Sequence, residues 1–101
     1  MNLAPSRIRI LLVDDHPLLR EGVASVVERQ SDMQLVAEAT DGEQALALYR
    51  QMQPDITLMD LQMPGMGGVE AIRSITCEFP QARIIVLTTY RGDVQALRAL
   101  K

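Results

Sequence analysis

Ile8-Arg9-Ile10-Leu11-Leu12-Val13-Asp14-Asp15-His16-Pro17 decides how the rest of the chain is read. Ile8, Ile10, Leu11, Leu12 and Val13 form a nearly unbroken apolar run. A run of that length, stopped abruptly by charge, reads as a strand covered on both faces. It ends on two adjacent acids. Pro17 then stands where a helix tolerates it best, in the first turn, because its ring fixes φ and its missing N–H has no intrahelical partner to lose there. Leu18, Leu19, Gly22, Val23, Val26 and Val27 continue at helical spacing to about Arg29.

The same unit repeats outward from this start. Leu35, Val36, Ala37 and Ala39 suggest a second, less apolar strand. Thr40 and Glu43 match a capping box for a helix reaching about Met52, with Ala45, Leu46, Tyr49 and Met52 as its buried stripe. After a turn at Pro54, Ile56, Thr57, Leu58 and Met59 form a third strand that ends at Asp60. The turn-rich segment Met63-Pro64-Gly65-Met66-Gly67-Gly68 leads into a third helix, with Val69, Ile72, Ile75 and Phe79 near one face, stopped by Pro80. Ile84, Ile85, Val86 and Leu87 make a fourth strand ending at Thr88, and Asp93 is placed to cap a fourth helix with Val94, Leu97 and Leu100 inward. Regular alternation of apolar strands and helices predicts an α/β fold, a doubly wound, flavodoxin-like parallel sheet of order 2-1-3-4.

Composition bounds the function. A chain of 101 residues supports one domain, and 48% apolar with 23% charged residues is ordinary for a soluble one. The net charge of −3 gives no general attraction for nucleic acid or anionic membrane, so direct nucleic-acid contact is not expected. Cys77 is the only cysteine, which excludes an internal disulfide, fits a reducing cytoplasm, and reads as a small core or boundary residue. Met1 to Arg7 is short and polar, without the apolar stretch of a signal peptide, and no run reaches the ~18 apolar residues of a membrane span.

The chemistry is concentrated at strand ends. Asp14 and Asp15 follow the first strand and Asp60 closes the third. In the 2-1-3-4 order these strands are neighbours, and their C-terminal ends border the crevice where ligands bind. Three acids from distant stretches are therefore expected to converge. Two carboxylates ~4 Å apart repel by about 4 kcal/mol at an effective dielectric of 20, a cost a fold tolerates when a proton or a metal offsets it. Oxygen donors beside a phosphate suit Mg²⁺. One strand-end aspartate would ordinarily be a helix cap, but an adjacent pair with a third acid on the neighbouring strand is poorly explained that way. Thr88, ending the strand beside Asp60, becomes a candidate ligand for a phosphoryl oxygen. His16, next to the acids, is read as a loop residue before the helix in preference to a metal ligand, Met59, Met63 and Met66 as packing around the third strand, and Tyr90 as an exposed loop aromatic in preference to a partner contact.

Ile10 to Pro17, Asp55-Ile56-Thr57-Leu58-Met59-Asp60-Leu61-Gln62-Met63-Pro64-Gly65-Met66-Gly67-Gly68, and Ile85-Val86-Leu87-Thr88-Thr89 together resemble the response-regulator receiver family, over nearly the whole chain. Asp14 to Gly22 is similar to its NarL/FixJ branch, whose members usually carry a C-terminal DNA-binding helix-turn-helix. The resemblance implies that Asp60 accepts a phosphoryl group from a histidine kinase. It implies that Asp14, Asp15, Asp60 and the backbone carbonyl of Gln62 hold Mg²⁺, and that Thr88 is the switch hydroxyl. It implies a cytoplasmic two-component signalling module, normally governing a DNA-binding output domain, and not a turnover enzyme.

Two departures stand out. Gly67 occupies a position where the family usually has an acidic or amide residue, which loosens the loop after Asp60 without abolishing its chemistry. The family's lysine at the end of a fifth strand has no counterpart, since Lys101 falls too early, still in the fourth helix. The reading is thus an incomplete receiver over residues 1–101, lacking the fifth strand, its aromatic and the fifth helix. From this follow an expected homodimer or domain swap through the uncovered fourth strand, weak but persisting Mg²⁺ binding and slowed phosphorylation. Rival readings are a pseudo-receiver used only for protein contact, an aspartate-nucleophile phosphatase, and a nucleotide-binding flavodoxin-like module. The second would place its nucleophile after the first strand, and the third lacks a glycine-rich loop there.

Overall fold

The apolar run at the head of the chain folds as β1 (Ile8–Val13), with its last four residues buried. The computed structural model describes residues 6–63 and 65–87. α1 (Pro17–Glu28) begins at the proline, and His16 is its N-cap in an extended conformation, which a residue before proline favours on steric grounds. β2 (Met33–Ala39), α2 (Gly42–Met52), β3 (Ile56–Asp60), α3 (Gly68–Glu78) and β4 (Ile84–Leu87) follow. All pairings are parallel and the order is β2-β1-β3-β4, the doubly wound order expected from the sequence. The fourth helix expected from Asp93, along with Thr88, Tyr90 and Lys101, lies outside the described residues.

The chain steps from β1 out to β2, then reverses past β1 to β3. Right-handed crossovers on either side of that reversal put α1 on one face of the sheet and α2 and α3 on the other. The core under α2 and α3 contains Leu11 and Val13 of β1, Met59 of β3, Ala45 and Tyr49 of α2, and Ile75 of α3. Tyr49 meets Phe79 with ring centroids 4.9 Å apart and planes tilted by 50°, a favourable aromatic arrangement. Outside this core Arg50 donates to both carboxylate oxygens of Glu78, tying α2 to α3. Both side chains are exposed, so that pair adds little stability.

Four local readings are corrected by the structure. The cap of α2 is Asp41, not Thr40: Asp41 accepts from the Gln44 N–H at 2.8 Å, and Gln44 Oε1 reaches back to accept from the Thr40 N–H at 3.0 Å. The cap moves by one residue because Asp caps as well as Thr, and the returning bond from Gln44 lands on the residue before the cap. β2 starts at Met33, two residues before its apolar stretch, since as an edge strand it is only partly covered and does not need continuous apolar character. On α1, Val27 is buried but Leu18 and Val26 are exposed, so the apolar pattern is wider than the face it buries. Cys77 is exposed on α3. Met59 is buried, with Met63 and Met66 packed against the core, as expected.

At the other edge, no strand pairs with the far side of β4 among the described residues, and Ile85 and Val86 are 51% and 43% exposed. Among the described residues no helix is long and apolar enough to cross a membrane.

Candidate functional site

Register builds the site. Val13 pairs with Ala39 of β2 and with Met59 of β3. One residue further along the two neighbouring strands, Asp14 and Asp60 therefore arrive side by side at the C-terminal edge of the sheet. Both are fully buried, while Asp15 keeps 29% of its side chain exposed. One ligand-capable atom from each of Asp14, Asp15, His16 and Asp60 lies within 4.8 Å of all the others. The convergence of the three acids is thus present.

His16 completes the group. Its backbone N–H donates to Asp14 Oδ1 at 2.6 Å. Its Nδ1 lies 2.9 Å from Asp14 Oδ1, 3.2 Å from Asp15 Oδ1 and 3.4 Å from Asp60 Oδ2. The loop position before the helix is as read from the sequence, and the ring lies among the acids, where the less favoured reading as a ligand would need it. The available signal was its adjacency to Asp14 and Asp15 at a strand end that faces the crevice.

Asp14 and Asp60 are each held by part of their hydrogen-bonding capacity. The Gln62 N–H donates to Asp60 Oδ1 at 3.0 Å. Asp60 Oδ2, Asp14 Oδ2 and Asp15 Oδ1 are buried atoms without a hydrogen-bond partner. A buried charge with an unsatisfied oxygen is costly, and its effect is visible in the electrostatics. Burial pushes the Asp60 carboxyl above the ordinary carboxylate range, and the charges of Asp14 and Asp15 push the same way. The Gln62 N–H and His16 oppose them. His16 is raised above its ordinary value, first by its hydrogen bond to Asp14, against partial burial, and then by the charges of Asp15, Asp14 and Asp60. Orphaned carboxylate oxygens on three acids clustered this closely form a donor set that fits a hard divalent cation.

The segment after β3 is shaped by glycines. Gly65 has φ +69°, the left-handed region that glycine enters without steric cost. The Gly42 N–H at the start of α2 donates to the Met66 carbonyl at 3.0 Å, docking the segment on α2. Gly68 is the first residue of α3 and not merely a turn residue, and a Cβ there would lie 2.3 Å from the Asp60 carbonyl oxygen. Nothing in its sequence context distinguishes it from Gly67. Thr88, expected to face Asp60, lies outside the described residues, while the residue before it, Leu87, pairs with Asp60.

A family model described as the response regulator receiver domain matches residues 10–101. The chain is 45% identical over 95 residues to YxjL, an uncharacterized transcriptional regulatory protein of Bacillus subtilis, covering 94% of this chain and 44% of that protein. It is 44% identical to LiaR, a transcriptional regulatory protein of the same organism, over 85% of this chain and 41% of that one. The chain spans less than half the length of these curated relatives. Among solved structures, a two-component response regulator of the LuxR family from Aurantimonas sp. SI85-9A1 superposes with a TM-score of 0.80 at 47% identity, covering 94% of this chain and 68% of that one. The response regulator domain of Thermotoga maritima CheB does so with a TM-score of 0.78 at 34% identity, covering 91% and 72%.

Proposed function

Because this chain belongs to the response regulator receiver domain family, we propose that it accepts a phosphoryl group on Asp60 from a histidine kinase and passes the signal to a DNA-binding output domain of a longer cytoplasmic protein. The observation that carries the reading is the state of the Asp60 carboxylate. It is fully buried, with Oδ1 fixed by the Gln62 N–H and Oδ2 unpartnered among the other acids. A carboxylate oriented through one oxygen and free at the other is set up as a nucleophile.

In the proposed reaction Asp60 Oδ2 attacks phosphorus in line with the leaving group. The new O–P bond forms as the P–N bond of a phosphohistidine breaks, and the electron pair leaves on the imidazole. Asp14, Asp15, Asp60 and the backbone carbonyl of Gln62 would hold Mg²⁺. When bound, that ion neutralises charge on the transferring group. Thr88 would donate its hydroxyl to a phosphoryl oxygen and draw the following loop inward. One phosphoryl group is accepted per chain.

The test is incubation with Mg²⁺ and a small-molecule phosphodonor, followed by peptide mapping. A gain of one phosphoryl group on the Asp60 peptide is expected, absent in Asp60→Asn. A gain that persists in Asp60→Asn, or that maps elsewhere, overturns the reading. The homodimer or swap expected through β4 belongs to the same proposal and is supported by the exposure of Ile85 and Val86. Sedimentation should show a weight that rises with concentration, and a monomer at every concentration refutes this part.

A further inference from the structure

We infer that His16 adds an imidazole ligand to the side chains of Asp14, Asp15 and Asp60 in the acidic pocket and biases it toward divalent cations that accept imidazole nitrogen, such as Mn²⁺ and Co²⁺, over Mg²⁺. The inference rests on the reading of Asp14, Asp15 and Asp60 as a cation site. The geometry is that of a coordination edge. With metal–ligand distances of 2.0–2.1 Å, adjacent ligands of an octahedral ion lie about 3 Å apart. His16 Nδ1 stands 2.9, 3.2 and 3.4 Å from one oxygen each of Asp14, Asp15 and Asp60.

Two further observations point into the same space. Asp14 Oδ2 and Asp60 Oδ2 belong to fully buried side chains and lack hydrogen-bond partners. The His16 backbone is also held. Its N–H is bound to Asp14 Oδ1 at 2.6 Å, and it precedes Pro17 in an extended conformation as the N-cap of α1. The imidazole therefore needs little movement to coordinate, and the cation takes the place of the Nδ1 proton that the contact with Asp14 Oδ1 holds in its absence. Mg²⁺ gains little from a nitrogen donor, because it prefers oxygen and gives up its water reluctantly. First-row transition ions bind imidazole well and rise in affinity along the Irving–Williams order.

Cation affinities of the full chain separate the two levels of this proposal. Mg²⁺, Mn²⁺ and Co²⁺ are titrated against the unaltered protein, His16→Ala, His16→Asn (a residue well suited to an N-cap) and Asp14→Asn. The Mn²⁺-to-Mg²⁺ affinity ratio is expected to fall about tenfold in both His16 variants, with Mg²⁺ affinity nearly unchanged. His16 is the only histidine, so Co²⁺ should shift a single set of imidazole NMR signals through direct contact. Mg²⁺ binding that depends on Asp14, together with a ratio indifferent to His16, overturns the ligand role and leaves the cation site standing. No binding of any of the three ions, or binding indifferent to Asp14→Asn, overturns both.

Discussion

In chelator, Asp60→Asn is expected to melt several degrees above the unaltered chain, although it removes the group on which the proposed chemistry depends. Asp60 is fully buried, one of its oxygens has no partner, and Asp14 is its neighbour at the sheet edge. Leaving a buried polar group unsatisfied costs about 1–3 kcal/mol, and more for a charge. Asparagine preserves the oxygen that accepts from the Gln62 N–H. It also replaces the orphaned oxygen with an amide N–H able to donate to Asp14 Oδ2. A gain of about 1–2 kcal/mol is the size such relief should have, readable by thermal or urea unfolding.

Its pH dependence has a definite sign. Burial holds the folded Asp60 carboxyl above its unfolded value, so the folded state binds the proton more tightly. The penalty of the charged form is then absent below the unfolded value, and it develops as pH rises through the raised folded one. The advantage of Asp60→Asn should be full at neutral pH and shrink in acid. Mg²⁺ should narrow it from the other side, since a ligand at ten times its Kd stabilises its site by about 1.4 kcal/mol and the variant binds it less. An Asp60→Asn protein that melts at or below the unaltered temperature in chelator would show that the acid cluster carries no strain, and would weaken the case for a cation there.

The central strand β1 was legible because burial on both faces leaves a continuous apolar run, and Leu11, Leu12 and Val13 are indeed fully buried. The convergence of Asp14 and Asp60 was legible too, because strand order and equal offset from paired residues determine it. What escaped was set by contacts with no periodic signature. Asp41 and Thr40 are both good capping residues, and only the backbone decides which carboxylate or hydroxyl meets a free N–H. His16 was legible as a helix start beside acids, but the choice between loop residue and ligand was not, since its ring direction depends on a turn closed by Asp14. Gly67 and Gly68 are indistinguishable in sequence, yet their surroundings differ completely.

Alanine should therefore have very different effects at these two positions. A Cβ on Gly68 would sit 2.3 Å from the Asp60 carbonyl oxygen, 2.7 Å from Leu61 Cα and 3.0 Å from the Asp60 carbonyl carbon. All three are backbone atoms of the β3 end and its exit, so no side chain can turn aside. A Cβ on Gly67 would meet only the Leu61 carbonyl oxygen at 3.9 Å, an ordinary contact. Gly67 is the N-cap of α3 at φ −75°, ψ 174°, a conformation alanine adopts freely. Both substitutions restrict the unfolded chain equally, a gain of about 0.4–1 kcal/mol that cancels in their comparison. Against the unaltered chain that gain offsets the cost of a poorer cap, about 0.5–1 kcal/mol, so Gly67→Ala should lie within about half a kcal/mol of it. Gly68→Ala should lose about 3 kcal/mol, the upper part of the overpacking range, as α3 and the Asp60 backbone are forced apart. It should also slow phosphoryl acceptance under conditions where it remains folded, because the displaced peptide orients the Asp60 carboxylate through the Gln62 N–H. Two variants of equal stability and equal phosphorylation rate would mean that the close approach of α3 to β3 does not position the nucleophile.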